Sequence, residues 1–426
     1  MDSNADAAGK KRLEDFNPLD PIQADDPYEW YSQLHAECPV YRIPQTGMYF
    51  VTKYDDLRAM LRDTETFSNN LSVIGAMQGA KQDGDRDVYG EVLRERGWEH
   101  MMTLQRTDPP LHRRYRELVE AAFTASRVRT MAPRIEELTH QLIDTWIDDG
   151  ECEFIEQFSL PLPGTIIAEQ VGLPGSEIKT FKRWATAMMK PQIMKLNEEE
   201  MRECAEVELE VQHYLDGLFK ARRAAPQSDL ISVMVNTRFE GQEPLTDREL
   251  QSVMRQLING GYETVITALA HAMWQLIRFP ELQNELREDK SRVKNFIEES
   301  LRWESPVIGL FRRATKDTEF KGVKIEKDAI ILAGYGPANR DADKFTCPHQ
   351  FDAKRDNAGA HLAFGSATHF CPGGQLARQE MNSAISILLD RIRDIELARP
   401  LPIPAHHSDI SHIALKQLHI KFKKIR

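Results

Sequence analysis

Apolar positions recur every three to four residues through the middle of the chain, and that spacing predicts helices. The stretches that carry it are "LHRRYRELVEAAF", "RIEELTHQLIDTWI", "GTIIAEQVGL", "SEIKTFKRWATAMM" and "EEEMRECAEVELEVQHYLDGLFKARR". The longest periodic stretch, "TDRELQSVMRQLINGGYETVITALAHAMWQLIRF", opens on a Thr-x-x-Glu capping box (Thr246 to Glu249) and is closed by Pro280. At 1.5 Å per residue it runs roughly 45–50 Å, enough to cross a domain. Helix "SRVKNFIEESLRWE" follows and stops before Pro306, and "QLARQEMNSAISILLDRI" comes near the end. Near the start, "VYRI" and "GMYFVTKY" read as a β-hairpin ahead of helix "YDDLRAMLRD". Short strands "EFKGVKI" and "AIILAGY" and a last strand pair ending "HIKFKKIR" lie toward the other end. No repeat, low-complexity linker or composition break divides the chain. The expectation is a mainly α protein with minor β: a tail over residues 1–15, then one large helical domain over residues 16–426.

Charge narrows the function. The formal net charge of −11 argues against general phosphate-backbone binding, which needs a basic footprint. No apolar run reaches the length of a membrane span, and the first residues are polar with no apolar signal core, so a soluble, cytoplasmic protein is expected. The five cysteines (Cys38, Cys152, Cys204, Cys347, Cys371) are scattered and form neither a disulfide framework nor a zinc CxxC pair. Between Phe67 and Pro110 regular signals are sparse, notably in "GAMQGAKQDGDRD", and a connection of that length suggests a binding loop.

Four cysteines read as small buried hydrophobes. Cys371 does not, because "HLAFGSATHFCPGG" surrounds it with turn formers and places it just before a helix. A catalytic thiolate would need a base and an orienting partner, and His369, two residues away, rarely holds that geometry. A ligand to a large flat cofactor needs a turn of little bulk, amides aimed at sulfur and a helix N-terminus behind, which stabilise the thiolate. "CPGGQLARQE" supplies these.

The stretch resembles the haem-binding loop of the cytochrome P-450 haem-thiolate monooxygenases, with Phe364, His369, Cys371 and Gly373 on the pattern. Ala367 stands where the family has glycine, which implies slight backbone strain. The resemblance implies haem b with Cys371 as axial thiolate, a ligation that pushes electron density toward O–O cleavage. It also implies that Glu299 and Arg302, at i and i+3 of "EESLRWESP", join Arg355 of "FDAKR" in a structural triad. Read alone, that pair is an exposed ion pair. "NGGYETV" breaks the longest helix with two glycines, each costing roughly 1 kcal/mol there relative to alanine. Its plain reading is close helix packing, whereas the resemblance makes Gly260, Gly261, Glu263 and Thr264 a segment over the haem, with Glu263 and Thr264 delivering protons. Val265 stands where many relatives have a second threonine. For the haem carboxylates the resemblance implies His112 and Arg116 of "HRRYR" and Arg312 of "FRRAT", with His369 and His361 as further candidates. Arg313 should point the other way, since strand neighbours alternate sides. His406, His407 and His412 lack zinc-ligand spacing and read as a turn near the substrate cavity.

These motifs occur in order from about residue 110 to the C-terminus. They imply an O₂-activating monooxygenase that hydroxylates a lipophilic small molecule. The chain ends soon after the haem domain with no flavin or nucleotide module, so electrons are expected from a separate ferredoxin and reductase, or a flavodoxin. Such a partner would be steered to Arg113, Arg114 and Arg378 behind the cysteine loop. The alternatives are a haem protein that binds ligand without turnover, a peroxide-driven oxygenase and a cysteine hydrolase; the acid–threonine pair argues against the first two. The resemblance places Trp98, Met101, Met102, Val307, Ile308, Leu310 and Ile410 around the substrate, with Arg94 and Arg96 facing water. That apolar set implies an uncharged lipophile of terpenoid, steroid, aromatic or macrocycle type.

Overall fold

The computed structural model describes residues 12–71, 87–194, 196–408 and 410–425. The fold is mainly α with small sheets, and its spine is the helix Asp247–Arg278, hereafter the crossing helix. Its start is the predicted box: Thr246 Oγ accepts from the Glu249 N–H, and Glu249 Oε2 accepts from the Thr246 N–H at 2.8 Å. A second box, Asn197 with Glu200, opens the helix Glu198–Ala224. Against the spine pack Pro161–Gln170, Ile178–Ile193, Val293–Trp303 and Gly374–Arg391, while Leu111–Ala122 is tied to it through Tyr115 and Glu249 and Ala125–Asp144 packs on Gly374–Arg391. Helix Leu111–Ala122 buries His112, Tyr115, Leu118, Val119 and Ala122, the face its periodicity marks. One large apolar core links these elements, from Leu104 to Phe422.

The sheets differ from a reading of separate hairpins. Strands Val40–Arg42 and Tyr49–Val51 do pair antiparallel, but Tyr49–Val51 also runs parallel to Ile330–Gly334. Gly309–Ala314 and Phe67–Ser68 complete a single five-stranded sheet. A three-stranded sheet joins Glu151–Glu153, His419–Lys424 and Ile392–Leu397.

Of the expected tail, residues 1–11 lie outside the described residues, whereas Leu13–Asp15 form a 3-10 turn and Phe16 is buried. Most of "GAMQGAKQDGDRD" also lies outside them. The rest of the long connection is more regular than its sequence suggests. Asp87 caps a helix, Val88–Arg96, that buries Val88, Val92 and Leu93. Arg94 and Arg96 therefore sit on a helix, where they pair with Asp87, Glu99 and Glu206. Among the described residues no helix is long and apolar enough to cross a membrane.

Candidate functional site

One cavity of about 280 Å³ lies between the crossing helix, the cysteine loop and the strand Gly309–Ala314. Cys371, Phe364, His369, Gly373, Gly260, Thr264, His112, Arg116, Arg312, Val307 and Leu310 all line it, far apart in sequence but facing one space. It is the only one of the five cysteines that does.

The loop presents Cys371 as the sequence suggests. Its N–H donates to Phe364 O at 2.8 Å, closing the turn. Behind it begins helix Gly374–Arg391, and the amides of Gly373 and Gly374 donate toward the sulfur. Burial raises the thiol pKa, while those two amides and the Arg116 and Arg378 guanidiniums pull it back toward the thiolate. Ala367 takes φ +56°.

Polar groups gather on one edge of the cavity. The His112 and His369 rings lie 4.2 Å apart between centroids. Burial pushes His369 down to about 3, with His112, Arg312 and Arg116 adding repulsion, and burial lowers His112 likewise. Both rings are therefore neutral, and the buried Nε2 of His369 has no hydrogen-bond partner. Arg116 reaches the Phe370 carbonyl and bonds Glu120 at 2.7 Å, while Arg312 Nη1 donates to Phe311 O at 2.8 Å. Arg313 turns away to Asn70 O and Asp328, as strand alternation requires.

The two helix glycines differ in purpose. A Cβ on Gly261 would stand 2.9 Å from Ile167 Cδ1, so this glycine serves close helix packing. A Cβ on Gly260 would meet nothing within 4 Å and would project into open space. Thr264 Oγ donates to the Gly260 carbonyl at 2.9 Å, which biases the helix toward opening there.

Glu299, Arg302 and Arg355 come together out of solvent. Arg302 grips Glu299 with two bonds of 2.7 Å, and Arg355 Nε adds bonds of 3.2 and 3.1 Å. Arg302 and Arg355 also donate to carbonyls of Asn339, Pro348, Gln350, Thr346 and Cys347, tying helix Val293–Trp303 to the irregular segment after residue 338.

Several expectations are corrected. His361 does not face the cavity: it is buried, takes the Ala363 N–H on Nδ1 and bonds Glu298 through Nε2 at 3.1 Å. Arg378 chelates the same Glu298 at 2.6 and 2.9 Å, and Arg114 is held by Glu249, so neither is a free cation for a redox partner. Arg113 is exposed but paired with Glu117 at 2.5 Å. Glu263 is exposed and does not line the cavity, one residue's rotation round the helix from Thr264. Trp98 packs on His213 and bonds Gln212, Met101 bonds Ser252 through its N–H, and Met102 is exposed, so all three stand outside the cavity. Ile308 and Ile410 line a separate crevice with Phe16 and Tyr31. His406 pairs with Asp25 at 2.8 Å, and none of His406, His407 and His412 lines the cavity. Sequence reasoning missed Arg106 and Glu380, which line it, and the Glu298 hub that holds His361 and Arg378.

The arrangement fits haem b: a sulfur with directed amides on one wall, unpartnered His369 Nε2 beside two guanidiniums on one edge, and an apolar remainder. The family model described as Cytochrome P450 matches residues 175–400. The chain is 32% identical over 389 residues to the cytochrome P450 monooxygenase PikC of Streptomyces venezuelae, covering 90% of this chain and 88% of that protein. It is 31% identical over 373 residues to 6-deoxyerythronolide B hydroxylase of Saccharopolyspora erythraea, covering 87% of this chain and 89% of that one. Among solved structures, cytochrome P450 CYP109Q5 from Chondromyces apiculatus matches with a TM-score of 0.84 at 28% identity, over 97% of this chain and 100% of that one. The shared fold, the sequence kinship and the thiolate loop lead to one conclusion: the chain belongs to the cytochrome P450 family and is a monooxygenase that uses haem b with an axial cysteine thiolate.

Proposed function

We propose that Cys371 supplies the axial thiolate and that His112, Arg116, Arg312 and His369 hold the haem carboxylates, residues 16–426 acting as one haem-binding unit. The observation that carries this reading is the Cys371 sulfur opening on the cavity beneath the amides of Gly373 and Gly374. When bound, the haem iron supplies the oxidising power that places one atom of O₂ in the substrate. The chain's own task is to position the substrate and meter protons. The Thr264 hydroxyl, facing the cavity, holds a proton there; Glu263, on the outer side of the same turn, takes protons from solvent and passes them inward.

The substrate is a lipophilic small molecule lying against Leu257, Val265, Ala268, Val307 and Leu310. One relative is named for hydroxylating 6-deoxyerythronolide B, which keeps macrocycles among the candidates. Family members draw on O₂ and redox partners such as a ferredoxin. For this chain we assign a ferredoxin with its reductase, in the cytoplasm, where reducing conditions keep the five cysteines free.

The reduced, CO-bound protein is expected to show the strongly red-shifted Soret band of thiolate-ligated haem, and Cys371→His to lose it. Retention of that band by the variant would overturn the assignment. In Thr264→Ala, reductant consumption should continue while product falls about tenfold or more and peroxide appears. Unchanged coupling would remove Thr264 and Glu263 from the proton path.

A further inference from the structure

Arg106 is a cation in the cavity that the haem reading does not use. It closes the 3-10 turn Leu104–Arg106, which lines the cavity with all three residues. That turn is strapped to the crossing helix: Gln105 N donates to Gln256 Oε1 at 3.1 Å, and Gln256 Nε2 donates to Thr103 Oγ at 2.6 Å and Thr103 O at 3.2 Å. Leu104 holds φ +38°, a conformation that persists only when the surroundings impose it. Gln256 lies about one helical turn before Gly260, so the strap fixes the turn against the same helix that carries Thr264.

The Arg106 side chain makes no hydrogen bond or ion pair with any described residue. Burial and the repulsion of Arg255 and Arg312 act on it, and no carboxylate offsets them. Among the described residues the one acid lining the cavity is Glu380, which burial pushes up to about 8, so it is neutral at pH 7. The haem edge is already furnished. His112, Arg116, Arg312 and His369 give four cavity-lining side chains for two carboxylates. A half-buried guanidinium with cations for neighbours is costly unless a ligand brings the counter-charge.

Resting on the haem-thiolate reading above, we propose that Arg106 is an anion anchor and that the substrate is a lipophile bearing one carboxylate. Arg106 grips that group in the forked geometry guanidinium and carboxylate share, with the apolar body against Leu257, Val265, Val307 and Leu310. The uncharged substrate expected from sequence gives way to an amphipathic one.

The test titrates the haem-loaded protein with matched pairs, each a carboxylic acid and its methyl ester: saturated fatty acids of graded length, an arylalkanoic acid and a steroid acid. Binding is read from the low-to-high-spin shift. At least one acid is expected to bind tenfold or more tighter than its ester. Arg106→Gln should erase that preference by weakening the acid about tenfold while changing the ester less than twofold, at unchanged haem content. If no acid outbinds its ester, or the variant weakens both alike, the proposal is wrong. Loss of haem in Arg106→Gln with recovery in Arg106→Lys would assign Arg106 to the haem carboxylates and also overturn it. Failure of the thiolate reading itself would register separately, as a wild-type protein without the red-shifted CO band.

Discussion

On the cysteine side of the cavity the buried ion pairs are matched, although His369 Nε2 and Glu380 Oε1 keep no partner. Glu299 receives both Arg302 and Arg355, and Glu298 receives Arg378 and His361, with backbone carbonyls taking most of the remaining guanidinium protons. On the crossing-helix side the polar groups are left open: Gly260 faces empty space and the Arg106 guanidinium has no partner among the described residues. The ionic scaffold that ties down the cysteine side is over-determined, and the polar groups that open on the cavity are under-satisfied. A ligand that must keep one geometry for the life of the protein suits the first, and a substrate that comes and goes suits the second, since an unsatisfied group contributes only when its ligand arrives.

The comparison is broken most severely at Arg302. Arg302→Ala would leave the fully buried Glu299 with Arg355 and the Asp352 N–H, and would release the carbonyls of Asn339 and Pro348. A loss of about 3–5 kcal/mol is expected from removing one partner of a buried pair. Denaturant unfolding and haem content would both report it. A variant that kept stability and haem but lost turnover would give Arg302 a chemical role instead.

The Glu298 hub is sharpened by pH. Burial alone would raise this carboxyl, but hydrogen bonds from His361 and Arg378 outweigh it and bring the pKa down to about 2 from an ordinary 4.5. A group depressed on folding contributes stability that is complete above its unfolded pKa and is lost as pH falls through its folded one. The window is thus pH 4.5 down to about 2, and the contribution is ~3 kcal/mol. Glu298→Gln should lose this share of the acid slope. Equal slopes in variant and wild type would show that the hub adds nothing to folding.

How far each wall was legible follows from the same contrast. Cys371 and the glycine break lie in short segments whose local chemistry is unusual, so they stand out in sequence, whereas the Glu299–Arg302 pair reads alone as an exposed ion pair and is marked only by the family resemblance. The Glu298 hub does not, because His361 and Arg378 lie 63 and 80 residues further on and only packing joins them. Trp98, Met101 and Met102 were misplaced because a loop has no period from which to read side-chain direction. The capped helix Val88–Arg96 turns that segment against Glu198–Ala224 instead. Helices were readable for their local pattern. The five-stranded sheet was not, since its parallel pair joins residues near 50 to residues near 332.

The two glycines of the crossing helix test whether openness itself is built in. Gly261→Ala forces Ile167 to move from a 2.9 Å contact and should destabilise by about 1–3 kcal/mol. Gly260→Ala meets nothing and should gain up to ~1 kcal/mol of helix propensity, at the expense of space over Thr264. Unfolding midpoints moving in opposite directions would support this division. Equal losses at both positions would mean that Gly260 also serves packing.

The smallest effect concerns strain in the cysteine loop. Two loop residues before Cys371 have positive φ: Gly365 at +71°, where glycine is free to sit, and Ala367 at +56°, where alanine is not. The left-handed conformation costs an L-residue roughly 1–2 kcal/mol, part of which glycine forfeits through its looser unfolded chain. Ala367→Gly is therefore expected to stabilise the loop by a net ~0.5 kcal/mol. The Ala367 carbonyl accepts from the Phe370 N–H at 3.1 Å, and the Cys371 N–H donates to Phe364 O at 2.8 Å, so these two amides report the loop's closed form. Their hydrogen-exchange protection in the haem-loaded protein should rise roughly twofold while distant helices stay unchanged. Slower exchange throughout the molecule would place the gain elsewhere. Faster exchange at these two amides would mean that the alanine methyl packs usefully despite its backbone, and that the cysteine wall tolerates strain because contact offsets it.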